Sequence, residues 1–397
     1  MAYVDRRMAL AREWDDLVAR VRELDGFRDF LRPPPVTDLP SPASPDAAVV
    51  VNVGRARCDA LLVRDGTVRS IPLPALTVAG VAERTARYLR AVGARAPDAA
   101  PDAAPDEGGT EDVLAETLAW LWEAVAEPVL DALGITGPPA GPSAGPPPRV
   151  WWCPTGLLTL LPLHAAGIHG EPGRSVIDRA VSSYTPTLRA LGAAPAARPL
   201  APARMLVVAM PHTPGQDVLP GAARERALLE EYFPGAHTPL EGAAATRAAV
   251  ADALAGHRWA HFCTHGEQNL DRPAEGGLLL ADGALTVADI AARAHGGEFA
   301  FLSACKTATG GTALPDEAVT LAAALQYTGY RHVVATLWSV PDGAALWVVD
   351  SVYEGLTGTG AFRPGDAAAA LHAATRELRA ASSPDLAGWV PFAHFGP

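Results

Sequence analysis

The spacing of apolar residues divides the front of the chain into a helix, a strand hairpin and two further helices. Apolar residues recur at three- and four-residue steps up to the RPPP segment, which is typical of an amphipathic helix that a proline run ends. Short apolar runs around Asp65-Gly66 indicate strands joined by a tight turn. The predicted elements are a helix over 5–31, strands over 48–53, 58–64 and 67–71, and helices over 77–92 and around 114–125.

From residue 149 onward, short apolar runs alternate with helical patterns. This alternation predicts an α/β fold with a mostly parallel sheet and helices on both faces. The predicted strands lie near 149–153, 203–210, 258–264, 298–304 and 331–338. The predicted helices lie near 222–232, 243–255, 286–294, 315–328, 341–357 and 365–380.

Two segments of low complexity interrupt the front half. Residues 93–110 repeat Pro, Ala and Asp, and residues 137–148 are rich in Gly and Pro, so neither can bury a core and both are expected to be disordered. We therefore expect an N-terminal region over 1–148 and a main domain over 149–397. Alternatively, strands of both parts form one continuous unit.

Composition narrows the class of protein. The chain has 397 residues, 49% hydrophobic and 19% charged, so it can bury a large core. The net charge of −12 argues against nucleic acid as a direct partner, and no run of about 20 apolar residues predicts a membrane span. The N-terminus lacks the apolar core of a secretory signal, and the four cysteines form no CxxC pair. These features predict reduced thiols and a cytoplasmic protein.

Two predicted strands end in reactive side chains. WAHFCTHG ends in His265 and Gly266, and FAFLSACK ends in Cys305. If the two strands are neighbours, a thiol nucleophile and a general base lie side by side at the carboxyl edge of the sheet. The backbone N–H groups of Gly266 and Cys305 would then form an oxyanion hole. The competing interpretation is that Cys305 is a small buried hydrophobe and His265 a structural side chain.

A metal site is the third interpretation of this segment. His261, Cys263 and His265 all point to one face of their strand. Alternate side chains lie about 6.6–6.8 Å apart along a strand, too far for three bonds of about 2 Å to one ion. We therefore predict no metal, with His261 and Cys263 as packing residues and only His265 exposed.

Two acidic residues remain ambiguous. Asp342 in LWSVPDG follows a predicted strand at the same edge of the sheet, where it can cap a helix or form the acidic floor of a pocket for a basic side chain. Both roles are compatible. Glu225 in LPGAARERALLE is interpreted as an acid at a helix start.

Several segments together resemble the CHAT family of caspase-like proteases, which belongs with separases, caspases and gingipains among the clan CD cysteine peptidases. The resemblance covers nearly the whole chain, in the family's order. It rests on the segments VVVNVGRARCDALLV, VWWCPTGLLTLLPLHAAG, LPGAARERALLE, HFCTHGEQN, FAFLSACKTATGG and LWSVPDGAA.

The resemblance implies a caspase–haemoglobinase fold, preceded by the N-terminal helix and a small α/β pseudo-protease-like part. It implies a dyad of His265 and Cys305 without an obligatory third residue, and no cofactor. Asp342 occupies the place of an acid that receives a basic side chain in separase-like relatives, so cleavage after Arg or Lys is expected. Lys306-Thr307 departs from the Glu-Thr common in relatives, and Lys306 is expected to help hold a thiolate.

The implied function is cleavage of a protein substrate in bacterial signalling, cell death or anti-phage defence. The implied partners are that substrate, such as a gasdermin or a neighbouring gene product, and a separate sensor or activator protein. The alternatives are a catalytically silent CHAT scaffold that binds partner proteins, and a small-molecule-binding α/β domain. A missing glycine-rich fingerprint argues against the last.

Overall fold

The structure is a computed structural model that describes residues 2–93, 109–138, 146–192, 203–269, 271–293, 295–304, 320–382 and 385–397. The chain divides into a small unit, Met1–Leu39, and a large unit, Pro40–Pro397. The segments predicted to be disordered fall mostly on 94–108 and 139–145, which lie outside the described residues.

Strands and helices have the following bounds. The strands are β1 Ala47–Val53, β2 Cys58–Arg64, β3 Thr67–Pro72, β4 Arg149–Pro154, β5 Val181–Tyr184, β6 Met205–Ala209, β7 His237–Glu241, β8 Trp259–Cys263, β9 Gly266–Glu267, β10 Gly277–Leu280, β11 Gly283–Thr286, β12 Phe299–Ser303, β13 His332–Thr336 and β14 Phe392–Phe395. The helices are α1 Ala2–Arg22, α2 Val78–Gly93, α3 Thr110–Leu121, α4 Glu127–Ala132, α5 Val176–Arg179, α6 Leu188–Gly192, α7 Pro220–Tyr232, α8 Arg247–Gly256, α9 Val287–Ala291, α10 Leu321–Thr328, α11 Asp342–Thr357, α12 Ala367–Ser382 and α13 Leu386–Trp389.

The small unit contains α1, which ends earlier than the sequence predicts. The apolar pattern continues past Arg22, but the helix stops there and Gly26 has a φ of +86°. Only glycine adopts this conformation at little cost, so the backbone turns out of the helix at this point. The side chain of Arg22 donates to the carbonyl of Phe30 at 2.8 Å.

One large sheet organises the second unit. Among the described residues, eleven strands form it in the order β3-β2-β1-β4-β5-β14-β13-β12-β8-β6-β7. The pairs β1–β2, β2–β3 and β13–β14 are antiparallel and the other pairs are parallel. Helices such as α7 and α12 pack on the strands. The mostly parallel α/β sheet flanked by helices confirms the predicted fold class.

The predicted hairpin is present at one edge of this sheet. β2 and β3 pair in antiparallel register through a two-residue turn in which Asp65 and Gly66 have φ values of +51° and +71°. Such a turn matches the twist of the strands that it joins. β1 pairs in parallel with β4, so strands from both sides of residue 148 share one sheet. The domain boundary at that residue stays a prediction.

The strands in the middle of the sheet are apolar because both of their faces are covered. Every residue of β8 and β13 is buried. Phe299 and Phe301 on β12 pack against Tyr353 of α11, and all three are fully buried. Continuous apolar runs are typical of parallel strands with helices on both faces. No helix among the described residues is both long and apolar enough to cross a membrane.

Buried histidines are expected to make the fold sensitive to acid. Burial lowers the pKa of His164, His332 and His372 to about 4 from the ordinary value of 6.5. Their folded-state pKa is depressed, so the unfolded chain binds more protons between about pH 6.5 and about pH 4. The free energy of unfolding is expected to fall as the pH is lowered through this window, by several kcal/mol in total. Urea unfolding at about pH 7.5 and about pH 4.5 measures this change.

His164→Gln provides the matched comparison. His164 Nε2 donates to the carbonyl of Val390 at 2.8 Å, and its Nδ1 lies 2.9 Å from the hydroxyl of Tyr184. Glutamine keeps hydrogen-bonding groups there but does not titrate, so this variant is expected to lose less stability on acidification. Equal unfolding free energies of the wild type at both pH values would contradict the account.

Candidate active site

Two neighbouring strands end level with each other at the carboxyl edge of the sheet. β8 and β12 pair in parallel, and the last pair in register is Cys263 with Ser303. His265 follows Cys263 by two residues, and Cys305 follows Ser303 by two residues. The structure describes β12 as far as Ala304, so Cys305 and Lys306-Thr307 lie outside the described residues.

His265 is half-buried at the end of β8 and is held by two backbone contacts. Its Nε2 lies 2.9 Å from the carbonyl oxygen of Asp217, and its own carbonyl accepts from the N–H of Leu279 at 2.8 Å. Because a carbonyl oxygen only accepts, Nε2 carries the hydrogen in this arrangement. Nδ1 therefore has the lone pair that can take a proton.

Gly266 begins the two-residue strand β9, which pairs with β10 in a separate small sheet. Gly266 lies opposite Leu278, and the adjacent bond runs from Leu279 N–H to the His265 carbonyl. In an antiparallel ladder this places Gly266 and Leu278 in a non-hydrogen-bonded pair. The Gly266 N–H therefore points away from β10.

Asp342 lies at the first residue of α11 and faces the start of α7. Its Oδ2 accepts from the backbone N–H of Gly221 at 2.9 Å. It lines one cavity together with His265, Ser303 and Ala304. The structure thus brings Asp342, His265 and the end of β12 to the same cavity, as the carboxyl-edge argument expects.

A buried polar network beneath this cavity was missed by the sequence interpretation. Glu225 is only 2% exposed, and its Oε1 accepts from Ser303 Oγ at 2.9 Å. Its Oε2 accepts from His261 Nε2 at 2.8 Å, and His261 Nδ1 lies 3.1 Å from the hydroxyl of Tyr353. Glu225 is therefore not a helix-start acid but a buried carboxylate that joins α7 to β8 and β12.

The helical spacing of residues in α7 indicates that Glu225 is buried. Ala222, Glu225 and Leu229 recur at the spacing of one helix face, and all three are buried. A glutamate on an apolar face predicts a buried, hydrogen-bonded carboxylate rather than a capping group.

His261 and Cys263 are buried, at 0% and 2% exposure, while His265 is partly exposed. His261 also takes part in the polar network, which the interpretation as a packing residue did not include. Within the described part of the chain, no three His, Cys, Asp or Glu side chains are grouped so that they could hold a metal ion.

Two of the described thiols, Cys153 and Cys263, are expected to be poor nucleophiles. Burial raises the pKa of the Cys153 thiol to about 11. Burial, and then the charges of Glu225 and Asp342, raise the pKa of the Cys263 thiol well above its ordinary value. The thiolate is the reactive species, so iodoacetamide at about pH 7.5 is expected to leave both thiols unmodified in the folded protein.

Peptide mass spectrometry before and after unfolding in urea measures this difference in alkylation. In urea both thiols are expected to react, because unfolding returns their pKa to the ordinary range near 8.5. Equal rates of alkylation for folded and unfolded protein would contradict the burial seen at these positions.

Comparisons with known proteins agree with this arrangement of strands. The profile of the CHAT domain matches residues 115–397. A chain of the Saccharomyces cerevisiae separase–securin complex at 2.6 Å superposes with a TM-score of 0.58 and 8% identity, over 88% of this chain and 30% of that one. A 3.0 Å structure of the same complex superposes with a TM-score of 0.58 and 8% identity, over 90% of this chain and 30% of that one.

The complex of Porphyromonas gingivalis RgpB pro- and mature domains superposes with a TM-score of 0.40 and 10% identity, over 80% of this chain and 75% of that one. No curated protein matches the sequence. The chain spans 30% of the separase-complex chain, and at this identity the likeness shows a shared caspase-like fold.

Proposed function

Because the chain belongs to the CHAT domain family, we propose that it is a cysteine endopeptidase that cleaves a protein substrate with His265 and Cys305. The observation that carries the proposal is the register of β8 and β12. Their last pair, Cys263 with Ser303, is followed in each strand two residues later by His265 and by Cys305. A nucleophile and a base at neighbouring strand ends meet the first requirement of covalent catalysis.

In the proposed reaction, His265 Nδ1 takes the proton of the Cys305 thiol as Sγ attacks the scissile carbonyl carbon. The negative charge moves to the carbonyl oxygen, where the N–H groups of Gly266 and Cys305 donate to it. His265 then gives the proton to the leaving amine as the C–N bond breaks. A water molecule deprotonated by His265 then attacks the thioester carbon. The C–S bond breaks to release the acid, and His265 returns the proton to the Cys305 thiolate. No cofactor is required.

Two features support these roles for His265 and Gly266. The Nε2–H of His265 is held by the Asp217 carbonyl, which fixes the ring with Nδ1 as the basic atom. The Gly266 N–H is not used by the ladder with β10, so it is available to an oxyanion.

The proposed substrate carries Arg or Lys immediately before the cleaved bond. Asp342 lines the cavity beside His265, and none of the described residues that line this cavity is Lys or Arg. A carboxylate in a cavity whose described lining carries no cation suits a basic side chain from the substrate. In this proposal Asp342 binds the substrate and also accepts from Gly221.

We place the activity in bacterial signalling, cell death or anti-phage defence, in the cytoplasm, with a gasdermin or a neighbouring gene product as substrate and a separate sensor or activator. Support for a protein partner is that the yeast neighbour is a separase–securin complex.

Co-expression with neighbouring gene products tests the proposal. A shortened partner is expected with the wild type and not with Cys305→Ala. A partner that binds both forms equally and stays intact would instead identify a catalytically silent scaffold.

A further inference from the structure

The cavity beside His265 contains a second acid whose position is fixed by the fold. We propose that Glu225 is a further specificity-determining residue, and that with Asp342 it makes the cavity prefer arginine to lysine. This inference rests on the proposed peptidase function and deepens it. Glu225 lines the same cavity as Asp342 and His265, yet only 2% of it is exposed.

The Glu225 carboxylate is held rigidly on two sides. Ser303 donates to Oε1 and His261 donates to Oε2, at 2.9 Å and 2.8 Å. The hydroxyl of Tyr353 lies 3.1 Å from the other nitrogen of His261, which fixes that ring in turn. The Cys263 thiol makes a third side-chain contact with this carboxylate. A carboxylate has about four acceptor positions, so acceptor capacity remains for a ligand.

Asp342 and Glu225 approach the cavity from the same side of α7. A Cβ at Gly221 would lie 3.2 Å from the Asp342 carboxyl, and Gly221 and Glu225 are four residues apart on one face of this helix. The thiol of Cys263 also lies close to both acids, because their charges add to the effect of burial in raising its pKa. The cavity therefore has two carboxylates near one another.

Among the described residues, these two charges have little compensation. The described residues that line the cavity include no Lys or Arg, and the one cationic partner of Glu225 among the described residues is His261, if protonated. A buried carboxylate without a cation costs several kcal/mol. A cationic substrate side chain that reaches this depth relieves that cost.

The geometry of the acceptors favours guanidinium over ammonium. Guanidinium presents five N–H donors in a rigid plane, so it can bond two neighbouring carboxylates at once. An ammonium group is compact and more strongly hydrated. It therefore forms fewer hydrogen bonds in the cavity and loses more hydration energy when it enters. Val340, Ala345 and Phe392 supply apolar surface for the methylene groups of the side chain.

Peptide substrates that differ only in Arg or Lys before the cleaved bond test the inference. The wild type is expected to have a higher kcat/KM for Arg. Glu225→Gln keeps the shape of the side chain and removes its charge, so the Arg-to-Lys ratio is expected to fall about 10- to 100-fold, the size of a lost charge-assisted hydrogen bond. Glu231→Gln, the same change at an exposed position of α7, is the matched control and should leave the ratio unchanged.

Calorimetric binding of benzamidine and benzylamine to the Cys305→Ala protein separates this inference from the proposed function, because it needs no turnover. Benzamidine is expected to bind more tightly than benzylamine. Adding Glu225→Gln should weaken benzamidine binding by about 10- to 100-fold, as for the Arg-to-Lys ratio. If Glu225→Gln does not fold, Ser303→Ala removes the donor that positions Oε1 and should lower the same preference to a smaller extent.

An unchanged Arg-to-Lys ratio in folded Glu225→Gln, with cleavage still dependent on Cys305, would overturn the role of Glu225 and leave the peptidase intact. Equal cleavage by wild type and Cys305→Ala would overturn the proposed function itself.

Discussion

Replacing Cys305 with alanine is expected to lower kcat/KM for a peptide with Arg before the cleaved bond by about 1000-fold or more. Alanine removes the sulfur that forms the bond to the substrate carbonyl, so the covalent route is lost and only binding and oxyanion contacts remain. His265→Gln is expected to cause a loss of similar size, because the thiol then lacks its base and the leaving amine its acid. Initial rates on a fluorogenic peptide measure both effects.

The loss should not be additive in the double variant, since the two groups act in one proton transfer. Cys153→Ala is the matched control. This thiol is buried on β4, far from β8 and β12 in the sheet order, and its pKa is raised to about 11 by burial. Cys153→Ala should retain wild-type kinetics. Turnover by Cys305→Ala at the wild-type rate would rule out Cys305 as nucleophile.

Removing the charge of Asp342 is expected to give the second large effect. Asp342→Asn should lower kcat/KM for Arg and Lys peptides by about 100- to 1000-fold, the cost of removing one charged partner of a buried cation. Peptides with a neutral side chain at that position should be cleaved at the wild-type rate. The asparagine carbonyl can still accept from the Gly221 N–H, so the contact between α11 and α7 is kept.

Two further variants separate charge from structure at this position. Asp342→Ala also removes the acceptor of the Gly221 N–H, so it should lower the unfolding free energy by about 1–3 kcal/mol beyond any change in Asp342→Asn. Asp350→Asn changes an acid on the same helix that accepts from Tyr232 instead, and should leave specificity unchanged. Selectivity for basic residues that is undiminished in Asp342→Asn would refute the assignment.

The sequence predicts the central strands well because burial on both faces makes them continuous apolar runs. β8, β12 and β13 lie within the predicted bounds for this reason. β14 was not predicted, although it joins the two halves of the sheet by pairing with β13 and, through Phe395, with Tyr184 of β5. Four residues are too few to show a period, and the pairing is set by tertiary contacts.

The residues of the candidate site also differ in whether the sequence could identify them. His265 and Asp342 could be found because they follow apolar strands at the carboxyl edge, and the cavity that they line has its place there. Glu225 could not be assigned from its position near a helix start. Its role depends on Ser303 and His261, which only the pairing of β8 with β12 brings to it.

Digestion of a proteome-derived peptide library tests the central claim most directly, because the library presents many cleavable sequences at once and no single substrate has to be chosen. The library is incubated with wild type, Cys305→Ala and His265→Gln, and new N-termini are identified by mass spectrometry. Wild type is expected to generate N-termini that follow Arg more often than Lys, and both variants are expected to generate none. N-termini that wild type, Cys305→Ala and His265→Gln generate alike would contradict a His265–Cys305 peptidase.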